Sequence, residues 1–113
     1  MLLLVFIRVS RIIRPMRTII ETPTFQKQAE KIWADDERLD FIAWIAQNPL
    51  AGDVIPGADG ARKVRWAASG RGKRGGARVI YFNIDTQGVV LLVAVYAKAE
   101  QENISADVIR KAV

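Results

Sequence analysis

The chain has 113 residues, half of them apolar, with 17 Lys and Arg against 12 Asp and Glu for a net charge of +5, and it contains neither Cys nor His. A chain of this size makes one small domain around a single core, and without Cys it has no disulfide framework, thiolate nucleophile, thiol redox chemistry or cysteine-held metal. Without His it has no Ser-His triad, imidazole acid–base pair or His-held metal, so any catalysis comes from Lys, Arg, Tyr, carboxylates or hydroxyls.

Leu2 to Ile7 form a short apolar run closed by Arg8. Six residues are too few for a bilayer span, which takes roughly 20. A secretory signal would carry its charge ahead of the apolar run, whereas Arg8, Arg11 and Arg14 follow it. Residues 1–15 are therefore read as a non-native or peripheral extension, the alternative being a membrane-surface or added edge element. Residues 16–113 are read as the functional body, because Met16 stands directly before a β-prone run.

That run, Arg17 to Glu21, predicts a short first strand. Thr22-Pro23 predicts a helix start, since Thr can cap exposed N–H groups and Pro is pre-organised at the first helical position. Phe25, Ala29, Ile32 and Trp33 recur at helical spacing and predict a helix over 23–34. Asp35-Asp36 reads as a break and a new cap. Leu39, Ile42, Ala43 and Ala46, broadened by Trp44 and Ile45, predict a second helix ending near Asn48-Pro49. The acidic group Asp35, Asp36, Glu37 and Asp40 suits a helix start, where carboxylates offset exposed N–H dipoles, better than Mg2+ binding.

Residues 50–60 carry Gly52, Pro56, Gly57 and Gly60 and read as loop. Strands are expected at 61–67, 77–84 and 89–96, the last two joined by the turn Asp85-Thr-Gln-Gly88, and a short terminal helix at 104–113. The order β, α, α, β, β, β, α, with tight connections in its second half, predicts an α+β domain: an antiparallel sheet with the helices to one side.

Charge is distributed unevenly along this body. Glu21 to Asp59 carries eight acidic residues against three basic, whereas Arg62 to Arg78 carries seven basic residues and no acidic one. A polyanion would thus meet one face of the molecule. Strand alternation puts Arg62, Val64 and Trp66 on one face and Lys63 and Arg65 on the other. Two cations two residues apart can grip neighbouring phosphates, or can simply keep a solvent-facing edge strand from aggregating. The segment 69–76 holds four Gly and three basic residues, Arg71, Lys73 and Arg74. It does not match the nucleotide-binding GxxxxGK[ST] pattern, so it reads as a basic arm on a nucleic-acid backbone or as an ordinary hairpin loop. Arg78 shares a face with Ile80 and Phe82. Tyr96 and Lys98 share a face at the end of the last strand, where Tyr96 is otherwise a core-edge aromatic and Lys98 with Glu100 a surface ion pair. Glu100 or Glu102 could relay a proton beside this cluster.

The stretches Gly60-Ala-Arg-Lys-Val-Arg-Trp66, Gly70-Arg-Gly-Lys-Arg-Gly-Gly-Ala-Arg-Val-Ile-Tyr-Phe82 and Leu91-Leu-Val-Ala-Val-Tyr-Ala-Lys-Ala-Glu100 resemble the RelE/ParE toxin superfamily. The resemblance is nearest to the HigB-type branch of toxin–antitoxin modules and covers residues 16–113. It implies a RelE-like fold: an antiparallel sheet, two amino-terminal helices packed on it and a short carboxy-terminal helix. RelE and HigB relatives cut messenger RNA in the ribosomal A site, whereas ParE relatives poison DNA gyrase. Carried over, the RNA-cutting set is Lys63, Arg65, Arg78 and Lys98, with Arg62 added if the register shifts by one. RelE follows its last strand with an Arg and a base-stacking Tyr; here those positions fall near Ala99 and Ser105, and Tyr96 is the aromatic at hand.

For such an enzyme the RNA supplies its own nucleophile, the 2′-OH, and neither metal nor cofactor is required. Clustered cations favour the neutral, proton-accepting form of a lysine, which makes Lys63 the candidate base and Lys98 the candidate acid. Arg65 and Arg78 would hold the phosphate oxygens, and Arg62, Arg71, Lys73 and Arg74 would bind RNA and ribosome. The resemblance further implies a cytoplasmic protein without stable membrane association, acting on the 70S ribosome and its mRNA and neutralised by a HigA-like helix-turn-helix antitoxin. A gyrase inhibitor, a non-catalytic RNA-binding module and a purely structural partner domain are the alternatives.

Overall fold

The computed structural model describes residues 16–66, 76–97 and Ile109. Strand β1 (Thr18–Glu21) runs directly into helix α1 (Pro23–Ile32), and Thr22 makes the junction: its hydroxyl accepts the Phe25 N–H at 3.2 Å, with Pro23 at the first helical position. Helix α1 buries Phe25 and Ala29 and ends two residues short of its expected limit, at an extended Trp33. Helix α2 (Asp35–Gln47) takes Asp35 and Asp36, expected as a break and cap, into its first turn. Ala34 occupies the cap position, and the Glu37 carboxylate accepts its N–H at 2.9 Å. Asp35, Asp36 and Glu37 fill the first turn, where their charge offsets the helix dipole.

Strands β2 (Asp53–Val54), β3 (Arg62–Trp66), β4 (Ala77–Ile84) and β5 (Val89–Ala97) complete a five-stranded sheet of order β1-β5-β4-β3-β2. The pairings among β2, β3, β4 and β5 are antiparallel, as expected, whereas β1 pairs with β5 in parallel, making the sheet mixed. Tight turns force antiparallel pairing only on the strands they join, and β1 leaves into helices instead. The expected loop 50–60 also contains β2, too short to leave a pattern in the sequence. Asp85–Gln87 form one 3₁₀ turn closed by Gly88, whose φ of 65° favours glycine. The 1–15 extension, the 69–75 part of the basic arm and the terminal helix lie outside the described residues, Ile109 excepted.

Both faces of the sheet are packed. Against the helices lie Phe25, Ala29, Trp33, Phe41 and Ile45 from α1, α2 and their junction, and Val64, Val79, Tyr81, Val90, Leu92 and Val95 from the strands. Phe41 stacks on Trp33 with ring centres 5.4 Å apart, and Trp44 meets Trp66 of β3 at 5.0 Å. The second face gathers Ala58, Ala61, Ile80, Val93, Ala94, Tyr96 and the helical Ile109. Two ion pairs tie strand ends to neighbours: Arg38 of α2 to Glu21, at 2.7 and 2.9 Å, and Arg17 to Asp85.

Tyr81 fixes the chain between α2 and β2. Its hydroxyl donates to the Pro49 carbonyl at 2.8 Å and accepts the Gly52 N–H at 2.9 Å, while the Arg62 guanidinium donates to the Gly52 carbonyl at 2.7 Å. A Cβ on residue 52 would stand 2.9 Å from both the Lys63 carbonyl oxygen and Tyr81 Cε1, neither of which can yield cheaply. Gly52→Ala is therefore expected to lower unfolding free energy by about 1–3 kcal/mol in urea titrations. Unchanged stability would show that this approach is slack.

Candidate nucleic-acid interface

The pairing register assembles the site. Lys63 and Arg65 alternate with Arg62, Val64 and Trp66 along β3, and Val64 packs with the helix-side core, so Lys63 and Arg65 belong to the second face. Arg65 lies directly across from Arg78 on β4, and Arg78 directly across from Tyr96 on β5. Three strands thus contribute one residue each to a single row, Arg65–Arg78–Tyr96. Lys63 sits one row along the same face, beside Ile80 and opposite Asp53 on β2. Arg65 is exposed; Lys63 and Arg78 are half-buried.

Tyr96 reaches this face only through an irregularity. From Val89 to Leu92, β5 turns Val90 and Leu92 to the helices, and unbroken alternation would send Ala94 and Tyr96 the same way. Between Tyr81↔Leu92 and Ile80↔Ala94 the register shifts, leaving Val93 without a partner on β4. This one-residue bulge moves Val95 to the helix side and delivers Ala94 and Tyr96 to the second face.

Two arginines directly across a ladder repel one another and weaken the sheet they sit in. Such a pair suits a ligand that carries negative charge into the gap. Tyr96 contributes differently. Its ring is only 4% exposed, packed among Ile80, Ala94 and Ile109, so it presents no face on which a base could stack. Its hydroxyl is buried and has no hydrogen-bond partner among the described residues. Burial raises the Tyr96 pKa and the neighbouring Arg78 charge lowers it, the first outweighing the second, so the phenol stays protonated at neutral pH.

Arg62 stands apart from this group. It lies on the helix side beside Tyr81, with its guanidinium on the Gly52 carbonyl. Lys98, Arg71, Lys73 and Arg74, like Glu100 and Glu102, lie outside the described residues. Sequence patterning singled out Lys63, Arg65, Arg78 and Tyr96 but missed the bulge that brings Tyr96 to the face of the other three and the hydrogen bond from Arg62 to the Gly52 carbonyl. Among the described residues no group of three His, Cys, Asp or Glu side chains could hold a metal ion, and no helix is long and apolar enough to cross a membrane. A cavity of about 620 Å3, lined by Met16, Arg17, Ala46, Asn48, Leu50 and Gly88, opens at the other end of β5 from Tyr96.

No family model matches the chain. Its structure is similar to that of the E. coli toxin RelE, solved as a double mutant in the free state, with a TM-score of 0.55 and 17% identity over 77% of this chain and 88% of that one. It is also similar to a chain of the RelBE2 toxin–antitoxin complex from Mycobacterium tuberculosis, with a TM-score of 0.55 and 20% identity over 71% of this chain and 95% of that one. The fold is therefore RelE-like: a sheet carrying two amino-terminal helices on one face.

The chain has two tyrosines, and burial raises the pKa of both above 10.0; for Tyr81 the Gly52 hydrogen bond and the Arg62 charge lower it in part, and Asp53 raises it. Tyrosinate absorbance is expected to develop above pH 10 in the folded protein and near about 10 in urea. Because the folded values are raised, the tyrosines' contribution to stability is complete below the unfolded value and lost as pH climbs through the folded ones. A tyrosine titrating at its ordinary value in the native state would contradict the burial described for it.

Proposed function

We propose that this protein is a toxin of the HigB type: a ribosome-dependent endonuclease that cuts mRNA in the A site by metal-independent attack of the RNA 2′-OH. The observation that carries the reading is the row Arg65–Arg78–Tyr96 with Lys63 on the same face. Its RelE-like setting and the basic character of the 62–78 region add support. The 2′-oxygen bonds to phosphorus as the bond from phosphorus to the 5′-oxygen breaks, leaving a 2′,3′-cyclic phosphate and a 5′-OH end. Lys63 takes the 2′ proton and Lys98 gives one to the departing oxygen. Arg65 and Arg78 hold the phosphate oxygens as negative charge grows on them, with Tyr96 as a neutral donor behind them. An incomplete set of acid–base groups suits a ribosome that supplies substrate geometry, which can contribute several orders of magnitude.

A toxin of this kind acts in the cytoplasm and is held in check by a cognate antitoxin, here a HigA-like helix-turn-helix protein. The similarity to a chain from a toxin–antitoxin complex supports such a partner.

Cleavage mapping on ribosomes translating a defined message, beside the same message naked, tests the reading. Cuts are expected in A-site codons, with 5′-OH ends and little cutting of naked RNA. Arg65→Ala or Arg78→Ala should each lower the rate about 10²- to 10³-fold, and the Lys63/Arg65/Arg78 triple alanine variant should not cut. Mg2+-dependent cleavage leaving a 5′-phosphate would overturn the mechanism. Absence of cuts from a folded, growth-inhibitory protein would reject the nuclease and turn the assay to DNA gyrase.

A further inference from the structure

We infer that Gln28 and Thr22, on the helix side of the sheet, are positioning residues that hold Tyr96 in the arginine row by locking the Val93 bulge. Strand β5 has nine residues, and β1 pairs with only the first four, from Thr18↔Val89 to Glu21↔Leu92. Past Leu92 no described strand pairs with that edge, and α1 supplies the missing partners. The Thr22 N–H donates to the Leu92 carbonyl at 3.1 Å, and the one Thr22 hydroxyl proton is shared between the Leu92 and Val93 carbonyls, at 2.9 and 3.2 Å. Two residues on, the Val95 N–H donates to Gln28 Oε1 at 2.8 Å. These contacts bracket Val93, the residue without a partner on β4.

Side-chain chemistry along β5 cannot choose this register. Val89 to Val95 are all aliphatic, so a slip of one residue would exchange one small apolar side chain for another on both faces. What distinguishes the alternatives is which carbonyl meets Thr22 and which N–H meets Gln28. An unbulged strand would turn Tyr96 toward the helices and bring a neighbouring alkyl group beside Arg78. The side chains that choose therefore lie on the far side of the sheet from the row they serve. Only the acceptor oxygen of Gln28 takes part in the observed bond, so a carboxylate can replace it and a thioether of similar length cannot.

The structural part stands on geometry alone, and the catalytic part rests on the proposed nuclease. Amide hydrogen exchange on the 113-residue chain comes first, with Val95 expected to be protected although no described strand covers its N–H. Rapid exchange there in the unmodified protein would overturn the inference, whatever any variant does. Gln28→Met is then expected to speed Val95 exchange at least tenfold and to bring the Tyr96 titration closer to its ordinary value. It should also lower kcat for ribosomal cleavage at least tenfold with KM little changed, and Gln28→Glu should restore all three. Thr22→Val compared with Thr22→Ser gives the same contrast at the other contact. Folded Gln28→Met that keeps the Val95 protection and the Tyr96 titration would overturn the clamp. Altered exchange and titration, rescued by Gln28→Glu in a protein that cuts no RNA, would uphold the clamp and reject the nuclease.

Discussion

Thr22 does three things within one residue of chain. Its hydroxyl accepts the Phe25 N–H in the first turn of α1 and donates to carbonyls of β5 some seventy residues away, and its own N–H closes the parallel pairing of β1. Thr22 is buried. A buried hydroxyl left without partners is costly, and here both its donor and acceptor capacities are used. The place where strand becomes helix is thereby pinned to the place where β5 leaves register. The helical hairpin, the bulge and the face on which Tyr96 stands follow from that coincidence.

Electrostatics work against the same assembly. Arg65 and Arg78 are cross-strand neighbours, and burying apolar surface is not what placed them together. A cationic strand can serve merely to protect a sheet edge, but that explanation covers β3 only in part. Lys63 is already paired to β2, and Arg78 lies on β4, inside the sheet. Like charges set across neighbouring strands repel one another, so their placement is not explained by packing alone. The hydrophobic core on the helix side, with five aromatic rings in mutual contact from Phe25 to Trp66, supplies stability that such a site draws upon.

How far the sequence could be read depended on contrast between neighbouring residues. Along β3, charged and apolar residues alternate, so the faces of Lys63, Arg65 and Val64 followed directly. Thr22-Pro23 announced a helix start, and the turn before Val89 announced a hairpin. Along β5 there is no contrast: seven consecutive aliphatic residues conceal a bulge as easily as they conceal a regular strand. The parallel pairing of β1 was equally hidden, because nothing local to Arg17–Glu21 encodes a partner near residue 90. Tyr96 was expected in the site or else at the core edge, and its burial removes the aromatic face that a stacked base would need.

The bulge also bears on how such a chain can diverge. Removing or adding one aliphatic residue within β5 would leave composition, charge and the amount of apolar surface nearly unchanged. It would nevertheless exchange everything downstream between the two faces. A lineage could thus move the tyrosine off the arginines' side of the sheet, or bring a different side chain beside them, without altering a charged residue. Related chains compared by their cations alone would look equivalent while presenting different surfaces.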